Sequence, residues 1–287
     1  MRSCNSFPTN QSRPQAMAWL SGLAIGLALI ATALMATASI SPALAATAHA
    51  APCPRPGTLG TSRVLEVDVS TTPRVGLQSF PETLPLADHE VVLTFDDGPW
   101  PPTTSRVLKA LAQECVRATY FLIGEHVSEH PAIVRRIVAE GHTVATHTWS
   151  HPNLMQIKHE QAIEQIDHGI SALETVLHGT ASTTPTTPFF RFPGFQSTPE
   201  TLDLLQSRGI VVFGSDIWAS DWNKMTPKQE LKLITDRLEA AGKGIILFHD
   251  TKTHTAAMMP AFLRYLRDNG YHVVHVKPAE PSVSLAH

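Results

Sequence analysis

The sequence has few cysteines and no excess of positive charge. The first limits the number of disulfides, and the second argues against a nucleic-acid-binding protein. Its 287 residues include three cysteines, and 22 basic against 25 acidic residues give a net charge of −3. Nucleic-acid-binding proteins usually carry a basic patch or stripe, so this balance argues against nucleic acid as a partner. The sequence contains no internal repeat, and with 43% hydrophobic and 16% charged residues it has an ordinary globular composition.

The N-terminal segment lacks acidic residues altogether. The first 45 residues contain two arginines and an apolar run from about Ala16 to Ala38, followed by small residues. This pattern predicts a secretory signal peptide over residues 1–45, cleaved after Ala45 or as late as Ala50. The run is long enough to serve as an uncleaved anchor, so membrane contact is expected only if it stays attached. We expect an exported protein, periplasmic or secreted.

The small number of cysteines limits the disulfides to one in the exported chain. Cys4 leaves with the predicted signal peptide, and Cys53 and Cys115 remain as a possible pair in an oxidising compartment. In the chain-entropy model such a bridge stabilises the fold by roughly 4 kcal/mol. The alternative is two unpaired thiols.

The remaining chain divides by composition into two segments. Residues 46–87 are rich in proline, glycine and threonine and contain one strand-like piece, RVLEVDVS, without a core of their own. We expect this segment to be an N-terminal extension that packs on the main domain, which spans residues 88–287.

Seven short apolar runs alternate with helical patterns in the main domain. The runs are VVLTFD, ATYFLIG, TVATHT, FFRFP, GIVVFGSD, GIILFHD and YHVVHV. Nearly apolar strands, each followed by a helix, indicate a parallel sheet covered on its faces and joined by right-handed crossovers. A closed or nearly closed barrel fits seven such runs over about 190 residues better than the alternative, an open doubly wound sheet. In both folds the functional groups lie at the carboxyl ends of the strands.

Polar side chains suited to metal chemistry follow these runs. The residues are Asp96 and Asp97 after the first run, His147 and His151 after the third, Arg191 in the fourth, Asp221 and Trp222 after the fifth, and His249 and Asp250 after the sixth. Two histidines four residues apart and one carboxylate can bind a metal ion and leave positions open for water and substrate. The second acid of the pair is then free to act as a base.

In the same order, these residues resemble the motifs of a known family. The motifs TFDDGP (94–99), HTWSH (147–151), RFPGF (191–195), SDW (220–222) and ILFHD (246–250) resemble those of the polysaccharide deacetylases with NodB homology, carbohydrate esterase family 4. The resemblance covers about residues 88 to 277. It implies an α/β fold, a distorted and incomplete (β/α)7 TIM-like barrel of parallel strands. It also implies a metal-dependent enzyme that removes N-acetyl groups from aminosugar polymers.

The resemblance assigns the metal and the base. Asp97, His147 and His151 correspond to the metal ligands, and Asp96 corresponds to the general base. Arg191 corresponds to the residue that orients this base and keeps it ionised, as a guanidinium close to a carboxylate does. For such ligands we expect one divalent ion, zinc in the first place, with cobalt or nickel as replacements.

The resemblance also assigns the acid and the substrate pocket. His249 corresponds to the general acid, and Asp221 to the residue that holds it and raises its pKa. Trp222 and Leu247 correspond to the walls of a small pocket for the acetyl methyl group. Acetate and a free amine on the sugar are the implied products.

Two positions depart from the family pattern. Gly194 stands where the third motif usually has an aromatic residue, so a ring for stacking on sugar is missing there. The position is expected to give a backbone N–H to the oxyanion, and glycine retains it. Trp218 stands where the first aspartate of the fourth motif would fall, which changes the expected shape of the cleft but leaves Asp221 in place.

The expected partner is an N-acetylated polysaccharide bound by a monomer, and the sequence does not choose among peptidoglycan, chitin oligosaccharide and poly-N-acetylglucosamine. Two other functions remain open: hydrolysis of small amides in a related barrel, and a catalytically dead carbohydrate-binding domain. Relatives of the second kind typically lose a ligand or the base, and this chain retains all of them. Histidines without motif context are not expected to bind metal: His126, His130, His142, His168, His178, His254, His272 and His275.

Overall fold

The computed structural model describes residues 55–280. All of them belong to one compact unit, Ala48–His287; the other unit, Met1–Thr47, and the predicted signal peptide lie outside the described residues. Within the described range, no helix is both long and apolar enough to cross a membrane. Cys115 is disulfide-bonded, and Cys53, its predicted partner, lies outside the described residues.

Parallel strands form one sheet in the described part of the chain. The strands are β1 (Thr61–Val67), β2 (Arg74–Val75), β3 (Glu90–Asp96), β4 (Thr119–Leu122), β5 (Thr143–Thr146), β6 (Phe189–Phe190), β7 (Val211–Phe213), β8 (Ile217–Trp218), β9 (Gly244–His249) and β10 (His272–Pro278). Each of the seven predicted runs contains one strand. The structure adds β8, and β1 and β2 lie in the predicted extension.

Helices follow most of the strands and cover the sheet. They are α1 (Thr103–Glu114), α2 (Gly124–Glu129), α3 (Pro131–Ala139), α4 (His159–His178), α5 (Pro199–Ser207), α6 (Pro227–Ala241) and α7 (Thr253–Asp268), with 3-10 turns at Leu154–Gln156 and Pro193–Phe195. The sequence predicts the start of α3, because proline suits a first helical turn. The apolar stripe of α4 is buried at Ile166, Ile170 and Leu173.

β3 is the branch point of the sheet. On one side it pairs with β9 along most of its length, and β9 in turn pairs with β8. On the other side its C-terminal half pairs with β4 and its first two residues pair with β10. From β4 the sheet continues through β5, β6 and β7 to β2. No pairing among the described strands joins β7 to β8, so the barrel is not closed, which confirms the predicted incomplete α/β barrel.

The segment before β3 is attached to both ends of this sheet. β1 pairs with β10, and β2 pairs with β7. The carboxylate of Asp216 accepts hydrogen bonds from the backbone N–H of Leu77, the hydroxyl of Thr83 and the backbone N–H of Ile245. One half-buried acid therefore connects this segment to β9.

Strand alternation sorts the barrel side chains into two sets. Successive side chains of a strand point to opposite faces. In β3, Val92 packs in one core cluster with Phe121, Phe189 and Ile245, whereas Leu93 packs in the cluster against the helices. We call the side chains on the same face as Val92 the inner set. At the carboxyl ends of the strands, this face leads to the candidate site.

Candidate active site

Four polar side chains continue the inner set at the carboxyl ends of the strands. Asp96 follows Val92 at a spacing of four, and His249 has the same relation to Ile245. His147 follows Ala145 by two residues, and Arg191 follows Phe189 by two. The period of two therefore directs all four toward the same mouth of the barrel.

Asp97 joins two histidines in a group that could hold a metal ion. One ligand atom from each of Asp97, His147 and His151 lies within 4.8 Å of the others. We call these three residues the metal group. Oδ1 of Asp97 is 3.7 Å from Nε2 of His147 and 3.4 Å from Nε2 of His151. This oxygen is buried without a hydrogen-bond partner, a costly state for a carboxylate that bound metal would relieve. The residues therefore fit a divalent ion.

The backbone around these ligands is held in an unusual conformation. Asp97 and His151 have φ angles of +73° and +60°, in the left-handed region that residues other than glycine seldom adopt. Such strain is often found where a functional site fixes the direction of a side chain. Asp97 reaches both His147 and His151 from this conformation, whereas Asp96, still in β3, also pairs with Arg191.

His147 is oriented and kept neutral by its surroundings. Its Nδ1 donates to the backbone carbonyl of Arg191 at 2.7 Å, which leaves Nε2 directed at the acids. Burial lowers the pKa of His147 to about 3. A neutral imidazole with a fixed tautomer is the form that binds a metal ion.

Asp96 forms an ion pair with a completely buried arginine. Nη1 of Arg191 donates to Oδ1 of Asp96 at 2.7 Å and to Thr94 at 2.8 Å. The other guanidinium nitrogens donate to the carbonyls of Phe213 and Gly214. Burial raises the pKa of Asp96, and Arg191 opposes that rise. The second oxygen, Oδ2, remains 3.8 Å from Nε2 of His147 and faces the metal group.

His249 lies opposite Asp96 on the neighbouring strand and is paired with Asp221. Nδ1 and the backbone N–H of His249 donate to the two oxygens of Asp221, each at 2.7 Å. Burial alone would lower the pKa of His249, but the hydrogen bond and charge of Asp221, with Asp97 and Asp96, raise it to about 9. Nε2 of His249 is 3.9 Å from Oδ2 of Asp97. A protonated imidazole thus faces the same space as Asp96.

Aromatic side chains form the rim beside His249. The ring centroids of Trp222 and His249 are 6.0 Å apart, those of Trp218 and Trp222 are 6.1 Å apart, and those of Phe195 and Trp218 are 6.2 Å apart. We call Phe195, Trp218 and Trp222 the aromatic rim. Trp222 is 51% exposed, and the other two are half-buried. Leu247 in β9 is buried, pairs with Trp218 in the strand register and, by strand alternation, belongs to the inner set.

The aromatic rim modifies the two expectations drawn from the departures. Gly194, exposed with φ +56°, carries no ring, but the next residue, Phe195, does, and it lies over the guanidinium of Arg191. Trp218 is neither an acid nor a fully buried packing residue. The shift of a ring by one position was not predicted, because motif spacing does not reveal how a 3-10 turn directs its side chains.

Several contacts around the site had no signal in the sequence, although Asp250 itself follows one of the predicted runs. His126 contacts the backbone carbonyl of Asp97 through Nδ1 at 2.7 Å, although it is not a ligand. Asp250 lies buried under Gly98, where any Cβ would collide with its carboxylate, and accepts from Thr104. Thr255 contacts Oδ2 of Asp221 at 2.9 Å. These contacts join distant parts of the chain, and no local pattern marks them.

The chain is similar to known proteins in sequence and in fold. The profile of the family described as polysaccharide deacetylase matches residues 84–213. A chitooligosaccharide deacetylase of Bradyrhizobium sp. (strain ANU 289) is 33% identical over 163 residues, which are 56% of this chain and 71% of that protein. The chain belongs to the polysaccharide deacetylase family.

Other members of the family share parts of the chain. The peptidoglycan-N-acetylmuramic acid deacetylase PdaC of Bacillus subtilis (strain 168) is 29% identical over 69% of this chain and 40% of its own length. The solved structure of a Bdellovibrio bacteriovorus peptidoglycan deacetylase superposes with a TM-score of 0.69 and 29% identity, covering 79% of this chain and 62% of that one. The matched part of the chain spans two fifths or less of the length of the first curated relatives.

Proposed function

We propose that this deacetylase-family chain hydrolyses N-acetyl groups of aminosugar polymers and releases acetate and a free amine. The proposal rests on one observation: Asp97, His147 and His151 lie close to the buried carboxylate of Asp96 and to His249, whose pKa is raised. An ion held there, for which we propose zinc, would supply Lewis acidity toward the acetamide carbonyl and toward a water molecule.

The carboxylate of Asp96 is suited to act as the general base. Oδ1 is occupied by Arg191, and Oδ2 faces the metal group. Asp96 removes a proton from water, and the water oxygen adds to the carbonyl carbon of the acetamide. The buried positive charge of Arg191 keeps Asp96 ionised before it accepts that proton.

His249 is suited to act as the general acid. An amine leaves poorly unless it is protonated, and the C–N bond therefore breaks as His249 donates a proton from Nε2 to the nitrogen. Since Asp221 holds Nδ1 and raises the pKa to about 9, His249 carries that proton at neutral pH. The backbone N–H of Gly194 is proposed to face the developing oxyanion.

The aromatic rim supports a sugar substrate. Aromatic rings offer apolar faces with polar edges, and those of Trp222, Trp218 and Phe195 follow one another away from His249. We propose that Trp222 and Leu247 wall the methyl pocket, while Trp218 and Phe195 contact the neighbouring sugar. The Bradyrhizobium and Bacillus relatives are named for chitooligosaccharide and peptidoglycan.

We further propose that the predicted signal peptide directs export to the periplasm or medium, where the monomeric enzyme meets cell-wall or extracellular polysaccharide. The deciding experiment measures acetate release from peptidoglycan, chitin oligosaccharides and poly-N-acetylglucosamine with and without a chelator. Metal-dependent acetate release from one of them is expected. Release from none, by a folded and metal-loaded protein, would leave a binding domain or a small-amide hydrolase, which small amides then distinguish.

A further inference from the structure

A buried acid outside the family motifs lies directly behind the Asp221–His249 pair. Glu230, in the first turn of α6, is 0% exposed. Its Oε1 is 2.8 Å from the hydroxyl oxygen of Thr255, and the same hydroxyl is 2.9 Å from Oδ2 of Asp221. Thr255 therefore bridges two carboxyl groups.

A hydroxyl group has only one hydrogen, so Thr255 cannot donate to both acids at once. Both short contacts are hydrogen bonds only if one carboxyl group is itself protonated and donates to the hydroxyl oxygen. Asp221 is not that group, since Oδ1 already accepts from Nδ1 of His249 and Oδ2 from its backbone N–H. The proton therefore belongs to Glu230.

The other surroundings of Glu230 do not favour a charge. Its Oε2 is buried without a hydrogen-bond partner. His254 has Nε2 at 3.7 Å from this oxygen, but that nitrogen donates to the backbone carbonyl of Asp221 at 3.0 Å. Burial and the nearby charge of Asp221 raise the pKa of Glu230 to about 8, although Thr255 and His249 act in the opposite direction.

We propose that Glu230 is a neutral carboxylic acid at neutral pH and donates to Thr255, so that Thr255 donates to Asp221 and fixes the Asp221–His249 pair. Glu230 is thus a positioning residue that never meets substrate. Its protonation follows from the hydrogen-bond geometry alone; its effect on turnover rests on the proposed function.

The protonation is tested by the pH dependence of unfolding in Glu230→Gln. A glutamine keeps the shape and an N–H donor for Thr255 but does not titrate. Because unfolded glutamate loses its proton near pH 4.5 and folded Glu230 keeps it to about pH 8, wild-type stability falls over this window. The melting temperature of the variant minus that of the wild type should therefore be roughly 5 °C larger at pH 7 than at pH 5.

The matched control is Glu160→Gln, at an exposed glutamate in the first turn of α4. The difference between its melting temperature and that of the wild type should stay constant over the same pH range. A melting temperature of Glu230→Gln that stays below wild type by a constant amount, or falls further behind as pH rises, would show that Glu230 is ionised and overturn the proposal.

The positioning role is tested by turnover. Thr255→Val removes the bridging hydroxyl and should lower kcat about tenfold, the equivalent of one hydrogen bond to a charged group, with KM unchanged. Thr255→Ser, which keeps the hydroxyl, should have the wild-type kcat. The kcat of Glu230→Gln should stay within about twofold of the wild-type value. If Glu230→Gln loses as much as Thr255→Val, the neutral-donor role is wrong. A wild type without activity would instead count against the proposed function, and the unfolding test would still stand.

Discussion

Nη1 of Arg191 lies 2.7 Å from Oδ1 of Asp96, and both side chains are removed from solvent inside the barrel mouth. The guanidinium is held by three further acceptors, Thr94, Phe213 and Gly214, so its position does not depend on Asp96. Asp96 can therefore change protonation state while its partner stays in place. This is the property that a general base next to a metal group needs.

Asp96→Asn should retain the metal ion and lose turnover. The change removes the proposed base but none of the three proposed ligands, so kcat should fall by about 10² to 10⁴. Stability should also fall, because Arg191 is left as a buried charge without its counter-ion. Metal content and steady-state rates provide the measurement. Collapse of the metal content would mean that the roles of Asp96 and Asp97 are exchanged.

His147→Ala and His151→Ala should each lose both metal and activity. Each removes one of three ligand atoms in the group, and the wild type should contain about one equivalent of metal. His159→Ala, at an exposed histidine that begins α4, is the matched control and should keep both. Elemental analysis of the purified variants decides the matter. Full occupancy without His147 or His151 would place the ligands elsewhere.

Asp221→Asn should move the alkaline limb of the kcat/KM profile to lower pH. Asp221 is the main group that raises the pKa of His249 to about 9, so His249 stays protonated as pH rises and loses this advantage in the variant. Each pH unit of movement corresponds to about 1.4 kcal/mol of lost interaction. Metal content should not change. An unmoved limb in a folded, metal-loaded variant would refute the role of Asp221.

Acid should unfold the protein because buried histidines are held neutral. Nδ1 of His142 accepts the backbone N–H of Ala118, and His275 donates from Nε2 to Thr143, whose own hydrogen goes to the carbonyl of Val276. Burial lowers the pKa of His142 and of His275 to about 3.

The sign of this effect follows from the proton balance. Below about pH 6.5 the unfolded histidines bind protons that the folded ones do not, so stability falls from there toward pH 3, by up to about 3 kcal/mol per histidine at pH 4. Denaturant unfolding at pH 7 and pH 4 measures it, and His275→Gln should reduce the slope. A slope unchanged by His275→Gln would show that His275 is not responsible.

The sequence predicts the parts of this site that follow strand periodicity. Asp96, His147, Arg191 and His249 come together because a period of two and a parallel sheet leave no other edge for them. The contacts of Glu230, Thr255 and His126 could not be predicted, because they depend on how α2, α6 and α7 rotate when they pack. A glutamate in the first turn of a helix is ordinarily exposed, and nothing local marks Glu230 as buried.

Because the segment before β3 is part of the sheet and core, the unit that folds is longer than the part of the chain that carries the catalytic motifs. A shortened protein beginning at residue 88 would keep every motif, yet Val75, Leu84 and Leu86 would be missing from the inner core cluster. It would also leave Asp216 without Leu77 and Thr83. Transfer of this domain into another polypeptide, by recombination or by evolution, therefore has to carry β1 and β2 with it, although neither contributes a residue to the chemistry.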